Sequence, residues 1–159
     1  MPFRFFRRRK VEEGIVGVEL SEESKGKFVI EDVFQIRGIG LILAGRVFEG
    51  EMTIGDILKL PNGRLLRVRG LEKKGKRVDR VVAGEPVGVI VDGISWKPKR
   101  GDLEEYTVIK VIEMLKKRAR EKYKHMPKDV VGKLVEREVK EQLEKELDKI
   151  ALKIHSPKH

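Results

Sequence analysis

The stretch RGIGLILAGRVFEGEMTIGD, residues 37–56, holds five glycines in twenty residues and decides between two kinds of protein. Glycines at this density either cradle the phosphates of a nucleotide or let strands turn and bend. Their spacing here is G-x-G-x4-G, and a strand pattern follows instead of the helix that a dinucleotide site requires. The stretch therefore favours turns and bends of strands, at Gly38, Gly40, Gly45 and Gly55, over a phosphate-binding loop.

Outward from this stretch, residues 26–106 show short strand patterns separated by turn signals. KFVIEDVFQI alternates with a period of two, which predicts that Phe28, Ile30, Asp32, Phe34 and Ile36 share one face. Asn-Gly at residues 62–63 predicts a hairpin between DILKL and RLLRVRG. RVDRVV, PVGVIVDGI and GDLEEY continue the β region. Strands at intervals of about 8–12 residues are typical of a barrel or a sandwich.

Residues 107–159 change to a helical period. One amphipathic helix carries its apolar stripe at Val108, Val111, Ile112, Leu115 and Ala119. After the break at Met126-Pro127, a second helix is expected from about Asp129 to about Ile154. Its last apolar residues follow a 4-3-4 spacing typical of a coiled-coil seam: Leu143, Leu147, Ile150 and Ile154. Two interpretations stay open: the helices pack on the barrel or on each other, or this seam forms a homodimer.

Composition excludes several classes of function. The chain has no cysteine, and its three histidines lack metal-ligand spacing, so neither a metal site nor a cofactor is expected. No serine stands in a His–carboxylate pattern, which predicts no catalytic residues and no enzyme. No apolar run reaches the roughly 18 residues of a membrane span, and a secretory signal is lacking, so a cytoplasmic protein is expected. Charged residues at 39% and few amides indicate a thermophile.

GLEKKGKR, residues 70–77, imitates the G-x-x-x-x-G-K part of a P-loop. Arg77 stands where that loop needs Ser or Thr for magnesium, and no helix pattern follows. No guanine-reading N-K-x-D motif is present, because the only asparagine, Asn62, precedes a glycine. We therefore expect no GTP binding.

Two segments together resemble the second domain of translational GTPases, the group of elongation factor Tu and the selenocysteine-specific elongation factor. They are VIEDVFQIRGIGLILAGRVFEGEMTIGDILKL, residues 29–60, and RVRGLEKKGKRVDRVVAGEPVGVIVDGISWKPKRGDL, residues 67–103. The shared pattern is D-x-F-x-I, a G-x-G turn, G-x-V-x-x-G, a G-D turn, an A-G-x-x-V-G turn and R-G-D. It covers about half of the chain. The resemblance implies a closed barrel of six or seven strands, without the family's GTPase domain and with helices where a third domain usually follows.

The fold expected from these observations is mainly β (α+β overall): a closed translation-factor-type barrel with a C-terminal two-helix extension. The expected division is an N-terminal basic and acidic segment at residues 1–25, the barrel at 26–106 and the helical extension at 107–159. In the family, a pocket on this barrel receives the aminoacyl end of tRNA. The resemblance implies pocket roles for Asp32, Phe34, Ile36 and Glu72, whereas Pro86 replaces the family's pocket asparagine and offers no side-chain hydrogen bond. Barrel core is the alternative for Phe34 and Ile36, a turn or strand-end hydrogen bond for Asp32, and a solvated loop charge for Glu72.

The net charge is +10, and basic residues are concentrated around one hairpin. They are Arg64, Arg67, Arg69, Lys73, Lys74, Lys76, Arg77 and Arg80. Such a patch binds phosphate backbones, or is simply the solvated surface of a thermophile. The predicted function is binding of RNA or the ribosome. The alternatives are a protein–protein adaptor that oligomerises through its C-terminal helices, and membrane-surface attachment through the N-terminal FRFFRRRK at residues 3–10.

Overall fold

The computed structural model of the chain describes residue 20 and residues 23–158. Within this part, seven strands come first: β1 (Gly26–Ile36), β2 (Gly40–Thr53), β3 (Ile57–Lys59), β4 (Leu65–Lys73), β5 (Lys76–Val78), β6 (Arg80–Val82) and β7 (Pro86–Ile94). Three helices and one more strand follow: α1 (Arg100–Glu104), α2 (Val108–Lys122), α3 (Lys128–Ile150) and β8 (Leu152–His155).

Six of these strands close into a barrel. The order is β1-β8-β3-β4-β7-β2, and the ring closes because β2 pairs again with β1. Strand β5 adds to β4 and strand β6 to β2, so both lie outside the ring. Residues such as Phe28, Leu43, Met52 and Leu66 are inaccessible to solvent and fill the interior. The predicted fold, mainly β with a closed barrel and C-terminal helices, is confirmed.

Strand β8 corrects the expected end of the second helix. Helix α3 stops at Ile150, and Ala151 already has an extended backbone with φ −62° and ψ 139°. Leu152 and Ile154 then point into the barrel and are fully buried, while the exposed Lys153 lies between them. The predicted barrel of residues 26–106 is therefore one strand short. Strand β8 fills the space between β1 and β3, whose edge N–H and C=O groups need a partner.

A β-bulge in β1 corrects the predicted face of this strand. Ile30 is paired with Gly45 and Asp32 with Ala44, so Glu31 is an additional residue without an opposite partner. The bulge shifts the alternation by one residue, because side chains alternate strictly along a regular strand. Phe28, Ile30 and then Val33 are buried, whereas Phe34 is 44% exposed and Ile36 is 41% exposed. The prediction that the five alternate residues share one face is therefore wrong beyond Ile30.

Gly45 makes this bulge sterically feasible. A Cβ atom at this position would lie 2.1 Å from the carbonyl oxygen of Val29, so no larger residue fits without moving the backbone. Gly38 and Gly55 adopt positive φ in the turns before and after β2. The four predicted glycines thus lie at turns, at the start of β2 and opposite the bulge. The helix that a dinucleotide site would need does not follow, because β2 continues to Thr53.

The hairpins follow their turn residues. Gly63 has positive φ in the predicted Asn-Gly turn between β3 and β4. The P-loop-like segment forms strands β4 and β5, joined by Lys74 and Gly75, which both have positive φ, as a two-residue hairpin turn requires. GDLEEY does not continue the β region, because residues 100–104 form the short helix α1, in which Leu103 is fully buried.

Helices α2 and α3 form an antiparallel hairpin after the predicted break, with Pro127 preceding α3. Val111, Leu115 and Ala119 of α2 pack against the apolar stripe of α3 in a second core. Leu143, Leu147 and Ile150 are partly buried in this core, and Ile154 lies in the barrel instead. The prediction of one helical seam of four residues is therefore wrong, because Ile154 belongs to β8, whereas a homodimer through the helices stays a prediction.

Candidate functional site

The candidate site lies on the outer surface of the barrel, where the bulge in β1 directs side chains towards solvent. Cross-strand register joins Phe34 to Ile42 of β2, Ile42 to Ile90 of β7, and Ile90 to Gly70 of β4. Phe34 is exposed at one end of this row, and Ile90 is buried although it lies on the outer face. The row is roughly 14 Å long, because it spans three strand spacings of about 4.8 Å.

A second row runs parallel to the first. It joins Asp32, Ala44, Gly88 and Glu72 across the same four strands. The small residues Ala44 and Gly88 leave a trough between the two carboxylates, which stand roughly 14 Å apart by the same strand spacing. The structure therefore places the predicted Asp32 and Glu72 on one face but at opposite ends of a row.

A depression of about 400 Å³ lies along this trough and reaches from β1 to β4. Glu72 and Pro86 line it together, as do Ala44, Gly88 and Lys74. Glu31 also lines it and is held by Arg46 at 3.4 Å. The predicted pocket residues are only partly brought together, because Asp32, Phe34 and Ile36 are not among the residues that line this depression.

Two arginines border the apolar row. The guanidinium of Arg77 lies over Gly70, where a Cβ atom would come within 3.3 Å of Nη1, and Nε of Arg77 is 3.2 Å from Glu72. Arg69 is bound to Asp92 at 2.9 Å, and its guanidinium also donates to the carbonyl of Ile39 in the β1–β2 turn. The row thus has an exposed phenyl ring at one end and a guanidinium group at the other, which suits a stacked base at one end and a phosphate at the other.

Half of the predicted basic patch is neutralised by carboxylates. The ion pairs are Arg69–Asp92, Lys73–Glu85, Arg77–Glu72 and Arg80–Glu51. The hydrogen bond from Lys73 is the main cause that lowers the pKa of Glu85 below its usual range. These four residues therefore add less positive potential than the sequence suggested.

The other four basic residues of the patch form no ion pair with a described carboxylate, and they differ in their other contacts. Arg64 stacks on Trp96 with its guanidinium carbon 4.7 Å from the ring centre, and Arg67 reaches the carbonyl of Gly55 at 3.5 Å. Lys74 and Lys76 are exposed at the β4–β5 turn and have no carboxylate partner within residues 23–158. Of the four members without a carboxylate partner, these two lysines are the ones that no other described group holds, so they are available to an anion.

Sequence reasoning missed Glu31 and Arg46, because the bulge that exposes Glu31 depends on strand pairing. The aromatic and basic FRFFRRRK segment lies outside the described residues. Among the described residues no cluster of three carboxylate or imidazole groups could hold a metal ion. In the same part of the chain, no helix has the length and apolar character needed to span a membrane.

Comparisons with known proteins find relatives for part of the chain. The chain is 37% identical over 76 residues to elongation factor 1-alpha of Saccharolobus solfataricus, which covers 46% of this chain and 18% of the relative. It is 36% identical over 80 residues to the same factor of Metallosphaera sedula, with 49% and 18% covered. The matched part resembles the barrel domain of translational GTPases. No protein-family model matches the chain.

Two solved structures are also similar to this barrel domain at 30% sequence identity. Translation elongation factor SelB from Methanococcus maripaludis, in its apo form, gives a TM-score of 0.41, with 45% of this chain and 16% of the other chain covered. A bacterial selenocysteine-specific elongation factor EF-Sec gives 0.40, with 48% and 14% covered. The chain thus spans less than a fifth of the length of the curated relatives it matches.

Proposed function

We propose that the protein is a non-catalytic module that binds RNA or a ribonucleoprotein such as the ribosome, in the cytoplasm and without a cofactor. The observation that carries the proposal is the outer row that runs from the exposed Phe34 to the guanidinium of Arg77. The resemblance to elongation-factor barrels supports the same partner.

In this proposal the two ends of the row have different tasks. A base stacks on the ring of Phe34, which is worth about 1–3 kcal/mol per base in single-stranded complexes. Lys74 and Lys76 neutralise phosphates of the RNA beyond the Glu72 end of the trough. Arg77 orients the RNA between the ring of Phe34 and these two lysines. With Pro86 at the rim of the depression, backbone groups rather than a side-chain amide would contact the ligand.

The adaptor alternative has less support. Its predicted contact was the apolar seam of α3, and Leu143, Leu147 and Ile150 of that seam are already packed in the core shared with α2. The resemblance concerns the barrel, which points to the barrel surface as the interface.

Lys74 and Lys76 provide the test, because they can be changed without leaving a carboxylate unpaired. Lys74→Asn suits the positive φ of 53° at this position, and Lys76→Gln keeps a polar side chain at the edge of β5. If each lysine contacts one phosphate of single-stranded RNA, the double variant should lower the slope of log affinity against log salt by about 1.4. Fluorescence anisotropy with a labelled single-stranded RNA measures this slope.

A matched control removes the same charge elsewhere. Lys128 and Lys133 are exposed on α3, and no carboxylate partner is found for either in the described chain. Lys128→Gln with Lys133→Gln should leave the slope unchanged. Equal slopes for the two double variants, or no RNA affinity of the wild-type protein at about 50 mM salt, would refute the proposal in favour of the adaptor.

A further inference from the structure

A row of lysines lies on the side of the barrel away from the Phe34 face. Strand β8 stands opposite β7 in the ring, and its Lys153 is paired with Lys27 of β1 on one side and with Lys59 of β3 on the other. Directly paired residues hold their Cβ atoms about 4.5–5.5 Å apart, and like charges in this position destabilise a sheet. Three adjacent lysines across three strands thus need an explanation.

Carboxylates neutralise only one of the three. Lys27 is bound to Asp148 at 2.6 Å and to Glu49 at 3.2 Å. Lys59 and Lys153 are exposed, and neither forms an ion pair with any residue that the structure describes. Within the described part of the chain, no carboxylate offsets their mutual repulsion.

The row borders a depression of about 520 Å³ where α3 returns to the barrel. Its walls include Lys27, Lys59, Lys149 and Lys153 but only one carboxylate, that of Asp148. Lys149 is already held by Glu146 at 2.8 Å. Lys27 and Lys149 thus have carboxylate partners, whereas Lys59 and Lys153 have none among the described residues. The remaining walls are Leu60, Pro61 and Ala151.

We propose that Lys59 and Lys153 form an anion site for phosphate groups, with Lys149 at its edge. Lysine ammonium groups bind phosphate as point charges with three donors each. The volume admits a diphosphate or two consecutive phosphates of a nucleic-acid strand. This site is separate from the outer row of Phe34 and stands without the proposed RNA function of that row.

The test uses two double variants of the full chain. One carries Lys59→Gln and Lys153→Gln, and the control carries Lys128→Gln and Lys133→Gln. Pyrophosphate is titrated at constant ionic strength, and thermal melting is followed by the fluorescence of Trp96. A ligand of the folded state raises the melting temperature by mass action. The wild type and the control should be stabilised, and the dissociation constant should be at least tenfold weaker for the Lys59 and Lys153 variant.

A second measurement separates a site from a structural role. Without pyrophosphate and at low salt, the Lys59 and Lys153 variant should melt at a higher temperature than the wild type, because the cross-strand repulsion is gone. Titration with single-stranded RNA identifies the source of the phosphate. If the RNA affinity of this variant depends less on salt than that of the wild type, the ligand is a nucleic-acid backbone. If the salt dependence equals that of the wild type, the ligand is a small phosphate compound. Equal pyrophosphate affinity in all three proteins, or a lower melting temperature of the variant, would overturn the proposal.

Discussion

Replacing Ile154 by alanine tests whether β8 is part of the barrel. Ile154 is inaccessible to solvent and lies between Gly26 of β1 and Leu58 of β3. Truncation of a buried isoleucine to alanine costs about 2–5 kcal/mol, from lost burial and from the cavity that remains. This is a large share of the roughly 5–15 kcal/mol that stabilises a typical domain.

Guanidinium chloride unfolding measures this loss. Trp96 is the only tryptophan, it packs against the barrel core, and it donates to the carbonyl of Leu65 at 2.7 Å, so its fluorescence reports on the barrel. With a denaturant slope of about 4 kcal/mol per molar, the midpoint should fall by roughly 0.5–1.2 M.

Lys153→Ala is the control, because this residue is exposed on the same strand and its truncation leaves no cavity. Relief of the repulsion from the paired lysines should leave stability unchanged or raise it, by less than about 0.5 kcal/mol. If Ile154 belonged to a helix on the surface, both substitutions would have similar small effects. An unchanged midpoint for Ile154→Ala would therefore refute the six-stranded closure.

Phe34→Ala should leave the melting temperature almost unchanged, because the ring is 44% exposed. The variant should bind single-stranded RNA about 5- to 150-fold more weakly, because it loses one base-stacking contact worth about 1–3 kcal/mol. A large fall in melting temperature would show that the ring is part of the core. Glu146 is buried, and hydrogen bonds from Lys149 and Arg118 lower its pKa below the ordinary 4.5. A carboxylate with a depressed folded pKa stabilises the fold above its unfolded pKa and loses this contribution as the pH falls through the folded value. Glu146→Gln should therefore reduce the loss of stability below pH 4.5, measured by melting in acid, and an unchanged pH profile would contradict this ion pair.

The turns and the barrel class could be predicted because they depend on local chemistry. Asn62-Gly63 and the glycines around β2 fix backbone conformations that few other residues tolerate. The face of Phe34 could not be predicted, because the bulge depends on the close approach of Val29 to Gly45, a contact between strands.

The last strand illustrates the same limit. Leu147, Ile150 and Ile154 satisfy a helical spacing, while Leu152 and Ile154 also satisfy a strand spacing. Residues 152–155 form a strand instead of continuing the helix because they pair with the otherwise open edges of β1 and β3. For the candidate site, the sequence shows the residue types but not the ion pairs that neutralise Arg69, Lys73, Arg77 and Arg80. Their carboxylates come from other strands or, for Glu85, from the turn between β6 and β7.

The closure by β8 also sets the order of events during synthesis. Strand β1 emerges from the ribosome before β8, so one of its two partners in the ring follows only after both long helices have been translated. Until then the edges of β1 and β3 are open templates for pairing with other chains. The α2–α3 hairpin depends on contacts near in sequence, which form faster than distant strand pairs. An early helical hairpin would bring residues 152–155 back towards Thr107, which lies beside Ile30 of β1, and so shorten the time during which the nascent barrel stands open.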